Sequence, residues 1–134
     1  MHEAEPRLDY QISPPLDNAA LNELFGAAWP DHTPRDFAPL LARSLAYICA
    51  YQNLRLAGFV NLAWDGGFHA FLLDTTVHPT LQRRGIGLAL VQHALAAASQ
   101  HGVSWVHVDY EPHLRGFYAR CGFQPTEAGL VRLG

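Results

Sequence analysis

A strand-like run, a basic glycine turn and a helix-like run follow one another between Phe71 and Leu95. Phe71-Leu72-Leu73-Asp74-Thr75-Thr76-Val77 is apolar and β-branched, and Leu88-Ala89-Leu90-Val91-Gln92-His93-Ala94-Leu95 has helical spacing. Between them stands Arg83-Arg84-Gly85-Ile86-Gly87. The first turn of a helix carries unpaired N–H groups and the positive end of the helix dipole. Glycines let a backbone approach a ligand because no Cβ intervenes. The two arginines add charge suited to phosphate oxygens. The stretch therefore reads as an anion site for a phosphate-bearing ligand.

Two common phosphate motifs do not fit. The Walker form needs Gly-Lys-Ser/Thr, and Gly87 is followed by Leu88-Ala89. The dinucleotide form G-x-G-x-x-G/A begins correctly at Gly85 and Gly87 but meets Leu90 where a small residue should stand.

Patterning predicts the remaining elements. Leu8 to Ile12 alternates as a first strand, stopped by Pro14-Pro15. Asp17 can cap a helix through Ala28 with Leu21, Leu24 and Phe25 on one face. Thr33 can cap a second helix, with Pro34 at its first position, running to Arg43. Leu45 to Tyr51, Leu54 to Trp64 and Phe68 to Val77 read as strands joined by turns at Gln52-Asn53 and Asp65-Gly66-Gly67. A helix from Gly85 to His101 buries Ile86, Leu90, Val91, Ala94, Leu95 and Ala98 and ends at Gly102. Val103 to Asp109 is a strand, His113 to Cys121 a short helix ended by Gly122, and Phe123-Gln124 with Leu130 to Leu133 a final strand pair. The order is β-α-α-β-β-β-α-β-α-β, a mixed α/β sheet.

The 134 residues suit one domain with its own core, and the 49% hydrophobic content suits a folded chain. A net charge of −3, with no basic cluster larger than Arg83-Arg84, argues against general nucleic-acid binding. Cys49 and Cys121 lie in apolar runs and read as buried free thiols. The acidic start Met1-His2-Glu3-Ala4-Glu5-Pro6 does not read as a signal peptide, and no apolar run is long enough to span a bilayer. The expectation is a cytoplasmic protein with no membrane partner. The eight histidines lack the HxxxH or HExxH spacing that puts two metal ligands on one helix face, so no metal is expected.

Gln82-x-x-Gly85-x-Gly87 has the form Q/R-x-x-G-x-G/A, with Val77-His78-Pro79 before it and Phe117-Tyr118-Ala119-Arg120-Cys121-Gly122-Phe123 after it. In this order and spacing the motifs resemble those of the GNAT superfamily of acyl-CoA-dependent N-acyltransferases. The resemblance covers Leu54 to Phe123 well and the first 50 residues only by element order. It implies a mostly antiparallel sheet with helices on both faces and a splayed central strand pair, and acetyl-CoA as co-substrate.

It also implies roles. Gln82, Arg83, Arg84, Gly85, Ile86, Gly87 and Leu88 would hold the pyrophosphate, and Thr75, Thr76 and Val77 the pantetheine arm. Tyr118 matches the tyrosine that protonates the departing thiolate, although on its own it reads first as a packing aromatic and only the motif brings the acid role level. Asp74, or a water it holds, is the first candidate for the base, against the reading of an ordinary strand-bulge aspartate; Asp109, Glu111 and His78 stand in reserve. Many members carry an Asn seven residues before the tyrosine, where this chain has Glu111; a carboxylate cannot donate as an amide does. Asp109-Tyr110-Glu111 is therefore read as substrate-facing. Asp31, Asp74, Asp109 and Glu111 favour a cationic acceptor, a small-molecule or protein amine. The alternative is a CoA-binding sensor or interaction module on the same fold. A homodimer is compatible with the resemblance.

Overall fold

The computed structural model describes residues 7–134; the N-terminal hexapeptide that carries the leader expectation lies outside the described residues. The elements are β1 (Leu8–Ile12), α1 (Asn18–Ala28), α2 (Ala38–Ala42), β2 (Ser44–Gln52), β3 (Arg55–Trp64), β4 (His69–Val77), α3 (Ile86–Gln100), β5 (Trp105–His107) and α4 (Arg115–Arg120). The strands form one sheet in the order β1-β2-β3-β4-β5. Neighbours run antiparallel except β4 and β5, which are parallel and joined through α3.

Two apolar clusters pack against the two faces of this sheet. On one face Leu21, Leu24 and Phe25 of α1 and Phe37 meet Cys49, Leu56 and Phe59. On the other, Ile86, Leu90, Val91, Ala94 and Ala98 of α3, with Tyr118 and Cys121, meet Ile48, Ala50, Val60, Leu62, Ala70 and Leu72. The side-chain period of two along a strand sends Ile48 and Ala50 to one face and Cys49 to the other. Cys49 and Cys121, both free and buried, are thereby kept in separate clusters.

Local chemistry sets the helix ends. Asp17 Oδ1 accepts from the Ala20 N–H at 2.8 Å and caps α1 as expected. After α3, the Val103 N–H donates to Ala98 O and the Gly102 N–H to Ser99 O, both at 3.1 Å, with Gly102 at φ 77°. This is a Schellman closure. The same closure recurs after α4, where Gly122 takes φ 100° and the Phe123 N–H donates to Tyr118 O.

Several expectations are corrected. α2 begins at Ala38 instead of Pro34, because side chains of α1 take the backbone groups that would start it. Asn18 Oδ1 accepts from the Phe37 N–H at 2.8 Å, and Asn22 Oδ1 from the Arg35 N–H at 3.0 Å. The β2–β3 turn is Asn53-Leu54, both at positive φ, one residue later than expected. The helix expected from His113 opens as a 3-10 turn, Pro112–Leu114, before α4. β5 is confined to Trp105–His107, because its pairing with β4 ends at Phe71 opposite His107. No strand forms among residues 123–134, where Leu130, Val131 and Leu133 lie exposed. A strand-like pattern alone supplies no partner for its N–H and C=O groups.

Candidate active site

The site begins with a defect in β4. Asn61 pairs with Leu73 and Phe59 with Thr76, so Asp74 and Thr75 together oppose the single residue Val60. This bulge puts Asp74 at φ 60°, a left-handed conformation that aspartate tolerates better than most residues. Beyond Phe71, β4 has no partner on its β5 side, so the splay expected between the central strands is present. The exposed pair His69 and His107 closes its paired end, with Nδ1 and Nε2 at 2.7 Å. Leu73 to Val77 therefore present backbone groups toward an opening, and such groups seek a partner.

The side chains of the bulge are fixed individually. Thr76 is buried and its hydroxyl donates to Asp74 O at 2.9 Å. The half-buried Thr75 accepts from the Tyr118 hydroxyl at 3.4 Å. Tyr118 is stacked on Tyr110 with ring centroids 4.9 Å apart, and lies edge-on to Phe117 at 4.9 Å and Phe123 at 5.8 Å. The Phe123 contact is the apolar closure that accompanies a Schellman turn, which explains why Tyr118, Gly122 and Phe123 occur at this spacing.

The basic turn lies beside the same opening. Leu81 is buried and anchors its start, whereas Gln82, Arg83, Arg84 and Gly85 are exposed. φ is 66° at Arg83 and 79° at Gly85, an alternation that gathers successive N–H groups into an anion-binding concavity. The free N–H groups at the start of α3 follow directly. The two signature glycines serve different ends. A Cβ on Gly85 would meet nothing within 4 Å, so its lack of side chain matters for backbone hand and open access. A Cβ on Gly87 would lie 3.3 Å from the Phe117 ring, so this glycine lets α3 pack against α4. Ile86 is buried under the turn and Leu88 half-buried. The open space at Gly85, the concave turn and the free β4 edge fit the phosphate and amide portions of acyl-CoA.

The titratable groups are tuned by burial. Asp74 has its pKa raised by desolvation, with the Arg35 charge acting in the opposite direction. Burial likewise raises the Tyr118 phenol, while its hydrogen bond to Thr75 draws it down and Asp109 adds a smaller upward push. Asp109 is thus near enough to act on Tyr118 through its charge; Glu111 is exposed at the start of the 3-10 turn and caps nothing with its side chain. His78 is engaged locally, its Nδ1 accepting from the Thr80 N–H at 3.3 Å.

Three features escaped the sequence reading. Gly58 seats α3 on the sheet: a Cβ there would lie 3.0 Å from Leu90 Cδ1, 3.2 Å from Ile86 Cγ2 and 3.3 Å from Thr76 O. A glycine inside a strand pattern is the signal that marks it. The stack of Tyr110 on Tyr118, eight residues along the chain, and the influence of the Arg35 charge on Asp74 carry no local signal.

The sequence model of the acetyltransferase (GNAT) family matches residues 18–123. A chloroplastic serotonin N-acetyltransferase 2 of Oryza sativa subsp. japonica is 32% identical over 116 residues, 81% of this chain and 56% of its own length. The chain spans about half the length of the curated relatives it matches. The fold is shared with a GNAT-family acetyltransferase from Streptococcus pneumoniae TIGR4 at TM-score 0.82 and 23% identity, over 96% of this chain and 98% of that one. It is also shared with an aminoglycoside N-acetyltransferase solved in complex with CoA, at TM-score 0.76 and 16% identity, over 100% of this chain and 99% of that one. The match of the family model over most of the chain, together with the splayed sheet and the glycine turn, shows that this protein belongs to the acetyltransferase (GNAT) family.

Proposed function

We propose that the protein transfers an acetyl group from acetyl-CoA directly to a primary amine. The observation that carries the reading is the convergence at Thr75: the β4 bulge, the free strand edge and the Tyr118 hydroxyl meet there, beside the basic turn. Acetyl-CoA supplies an activated thioester. The chain's own groups hold it and manage the protons.

In this reading the N–H groups of Arg83 to Leu88 and the two guanidinium groups bind the pyrophosphate. Gln82 stands at the head of the turn. On the free side of β4 the backbone of the Thr75-Thr76-Val77 stretch pairs with the pantetheine amides, and the Val77 N–H faces the thioester carbonyl and stabilises its developing negative charge. Asp74, directly or through one water, takes the proton from the acceptor ammonium. The freed nitrogen forms a bond to the acetyl carbon, the carbon–sulfur bond breaks, the thiolate takes its proton from Tyr118, and the second proton that the nitrogen sheds in becoming an amide returns through solvent to the phenolate. Asp109 and Glu111 face the acceptor side.

A non-catalytic CoA sensor would use the same turn and strand edge without the proton chemistry. The buried, oriented Tyr118 hydroxyl supports the enzyme over the sensor. Saturating acetyl-CoA is expected to raise the melting temperature, and thiol release over a panel of amines to exceed hydrolysis. A folded protein without the thermal shift would overturn both readings; a shift without thiol release from any amine would leave the sensor.

A further inference from the structure

One amide side chain is sealed into the sheet face that α1 covers. Asn61 of β3 is 2% exposed and shares its face with Phe59. In the register it stands between Tyr47 of β2 and Leu73 of β4. Its Oδ1 accepts from the Ser44 hydroxyl at 2.5 Å, a separation that an O–H···O contact reaches and an N–H···O contact does not. The carboxamide is therefore held with its oxygen toward Ser44. Ser44 Oγ also lies 3.3 Å from the Leu40 carbonyl, which ties this anchor to α2. A carboxamide carries two N–H donors besides its oxygen. Nδ2 donates to nothing among the described residues. A packing role alone would be filled by leucine, with no donor left to satisfy.

The free end of the amide lies on the β4 side. Ser44 is on β2 and Leu73 on β4, so they flank Asn61 from opposite sides. With Oδ1 turned to Ser44, Nδ2 diverges from β2. No buried side-chain nitrogen or oxygen among the described residues lacks a partner, so the small surface that Asn61 keeps lies at Nδ2. The cover over the sheet ends at this point, since Leu73, directly opposite the sealed Asn61, is 39% exposed. Leu73 also precedes Asp74, and the β4 bulge opens directly after it. Opposed side chains of an antiparallel pair stand about 5 Å apart at Cβ. A donor on Asn61 and a group at Asp74 therefore lie within the span of one small molecule.

We propose that Asn61 is a specificity-determining residue of the acceptor site, its free Nδ2 donating to a hydroxyl or carbonyl oxygen that the amine carries near the reacting nitrogen. The proposal rests on the acetyltransferase reading and narrows its acceptor. An amide N–H cannot bond an ammonium, because both are donors. The amine end therefore goes to Asp74 and the oxygen to Asn61, with the carbon chain between them over Leu73. A plain alkylamine would strip water from Nδ2 and return no hydrogen bond. Ser44 is the positioning residue that holds the carboxamide in this orientation.

The test uses matched acceptors: amino alcohols of two to four carbons against the alkylamines in which methyl replaces hydroxyl, and glycinamide against isobutylamine. Thiol release gives kcat/KM for each with wild type, N61L and S44A, and calorimetry on the CoA-loaded protein gives binding without turnover. N61L keeps the bulk of the side chain and leaves the Ser44 hydroxyl its contact with Leu40 O. Comparing each pair between wild type and variant cancels the intrinsic basicity of the amines. For at least one pair, the preference of wild type for the oxygen-bearing member is expected to exceed that of N61L by about tenfold or more, mainly through the acceptor KM. S44A should lie between them, and it carries the test if N61L does not fold. The pair that discriminates identifies the oxygen as hydroxyl or carbonyl. The same preference in all the proteins, or binding of neither member by wild type, would overturn the role of Asn61 while leaving the acetyltransferase reading intact. Selective binding of the oxygen-bearing member that the variants lose, with no amine turned over, would keep the role and sink the enzyme.

Discussion

The Tyr118 hydroxyl donates to Thr75 Oγ1 at 3.4 Å, a contact that joins α4 to the β4 bulge across 43 residues of sequence. Both ends are determined by backbone irregularities. The bulge that places Thr75 also puts Asp74 at φ 60°, and the glycine closure after Tyr118 puts Phe123 against its ring. The proposed acid and the proposed base thus flank one threonine.

Tyr118→Phe removes the phenol and keeps the ring stack on Tyr110. Turnover is expected to fall about 10²-fold, the lower range for a lost general acid. Stability should fall by only about 1 kcal/mol, because a single hydrogen bond is lost. Steady-state kinetics with a urea melt check both; unchanged turnover would remove Tyr118 from the acid role.

Asp74→Asn separates activity from stability. Asparagine accepts the left-handed backbone, so the bulge is retained. Because burial raises the native Asp74 pKa, the folded state holds this proton more tightly than the unfolded chain does. That contribution to stability is complete below the usual carboxylate value of about 4 and is lost as pH rises through the native value. The neutral variant should therefore melt above wild type at pH 7, with the difference shrinking toward acid, while turnover drops about 10²-fold. A variant that melts lower at pH 7 would contradict burial as the governing influence.

The pH profile of kcat/KM should reflect the same two groups. Its acid limb falls above the ordinary carboxylate value, since Asp74 must lose its proton and burial resists that loss. Tyr118 must keep its proton, and burial extends that range beyond the usual tyrosine value of about 10. Asp74→Asn should flatten the acid limb, and Tyr118→Phe should remove the tyrosine's part of the alkaline one.

Gly58→Ala tests the seat of α3. The added methyl gains about 0.5–1 kcal/mol of backbone preference in a strand. It also meets Leu90, Ile86 and the Thr76 carbonyl within 3.0–3.3 Å. The carbonyl cannot move without disturbing the bulge, so overpacking of about 1–3 kcal/mol should prevail. A lowered urea midpoint with weaker acetyl-CoA binding is the expected result.

Gly85→Ala tests backbone hand alone, since nothing lies within reach of its Cβ. The left-handed conformation should cost about 1–2 kcal/mol. The KM for acetyl-CoA should rise about tenfold as the turn's N–H groups rotate away, equivalent to about 1.4 kcal/mol. Gly85→Asn should recover much of the stability, because asparagine tolerates this region. Equal losses from both variants would show that bare backbone, and not its hand, is what the turn requires.

Features set by neighbours in sequence are legible in the residues alone. Asp17 caps α1, Gly102 and Gly122 close α3 and α4, and Asp65-Gly66-Gly67 turns β3 into β4, because each involves groups only a few residues apart. The start of α2 was not legible, since Asn18 and Asn22 reach back to it from a different helix. The strand-like tail from Leu130 to Leu133 misled for a related reason: alternation describes a strand's faces but not its partner.

The same division runs through the site. The sequence by itself determined the mixed α/β class, the basic glycine turn at Gln82 to Leu88 and the Tyr118-to-Phe123 closure, since these depend on backbone hand and helix ends written in consecutive residues. Only the tertiary structure decided that Gly87 exists for Phe117, that Gly58 carries α3 and that Tyr118 meets Thr75. Those relationships arise from close packing between segments far apart in the chain, and a contact of that kind is fixed by the shape of both surfaces together, not by either sequence alone.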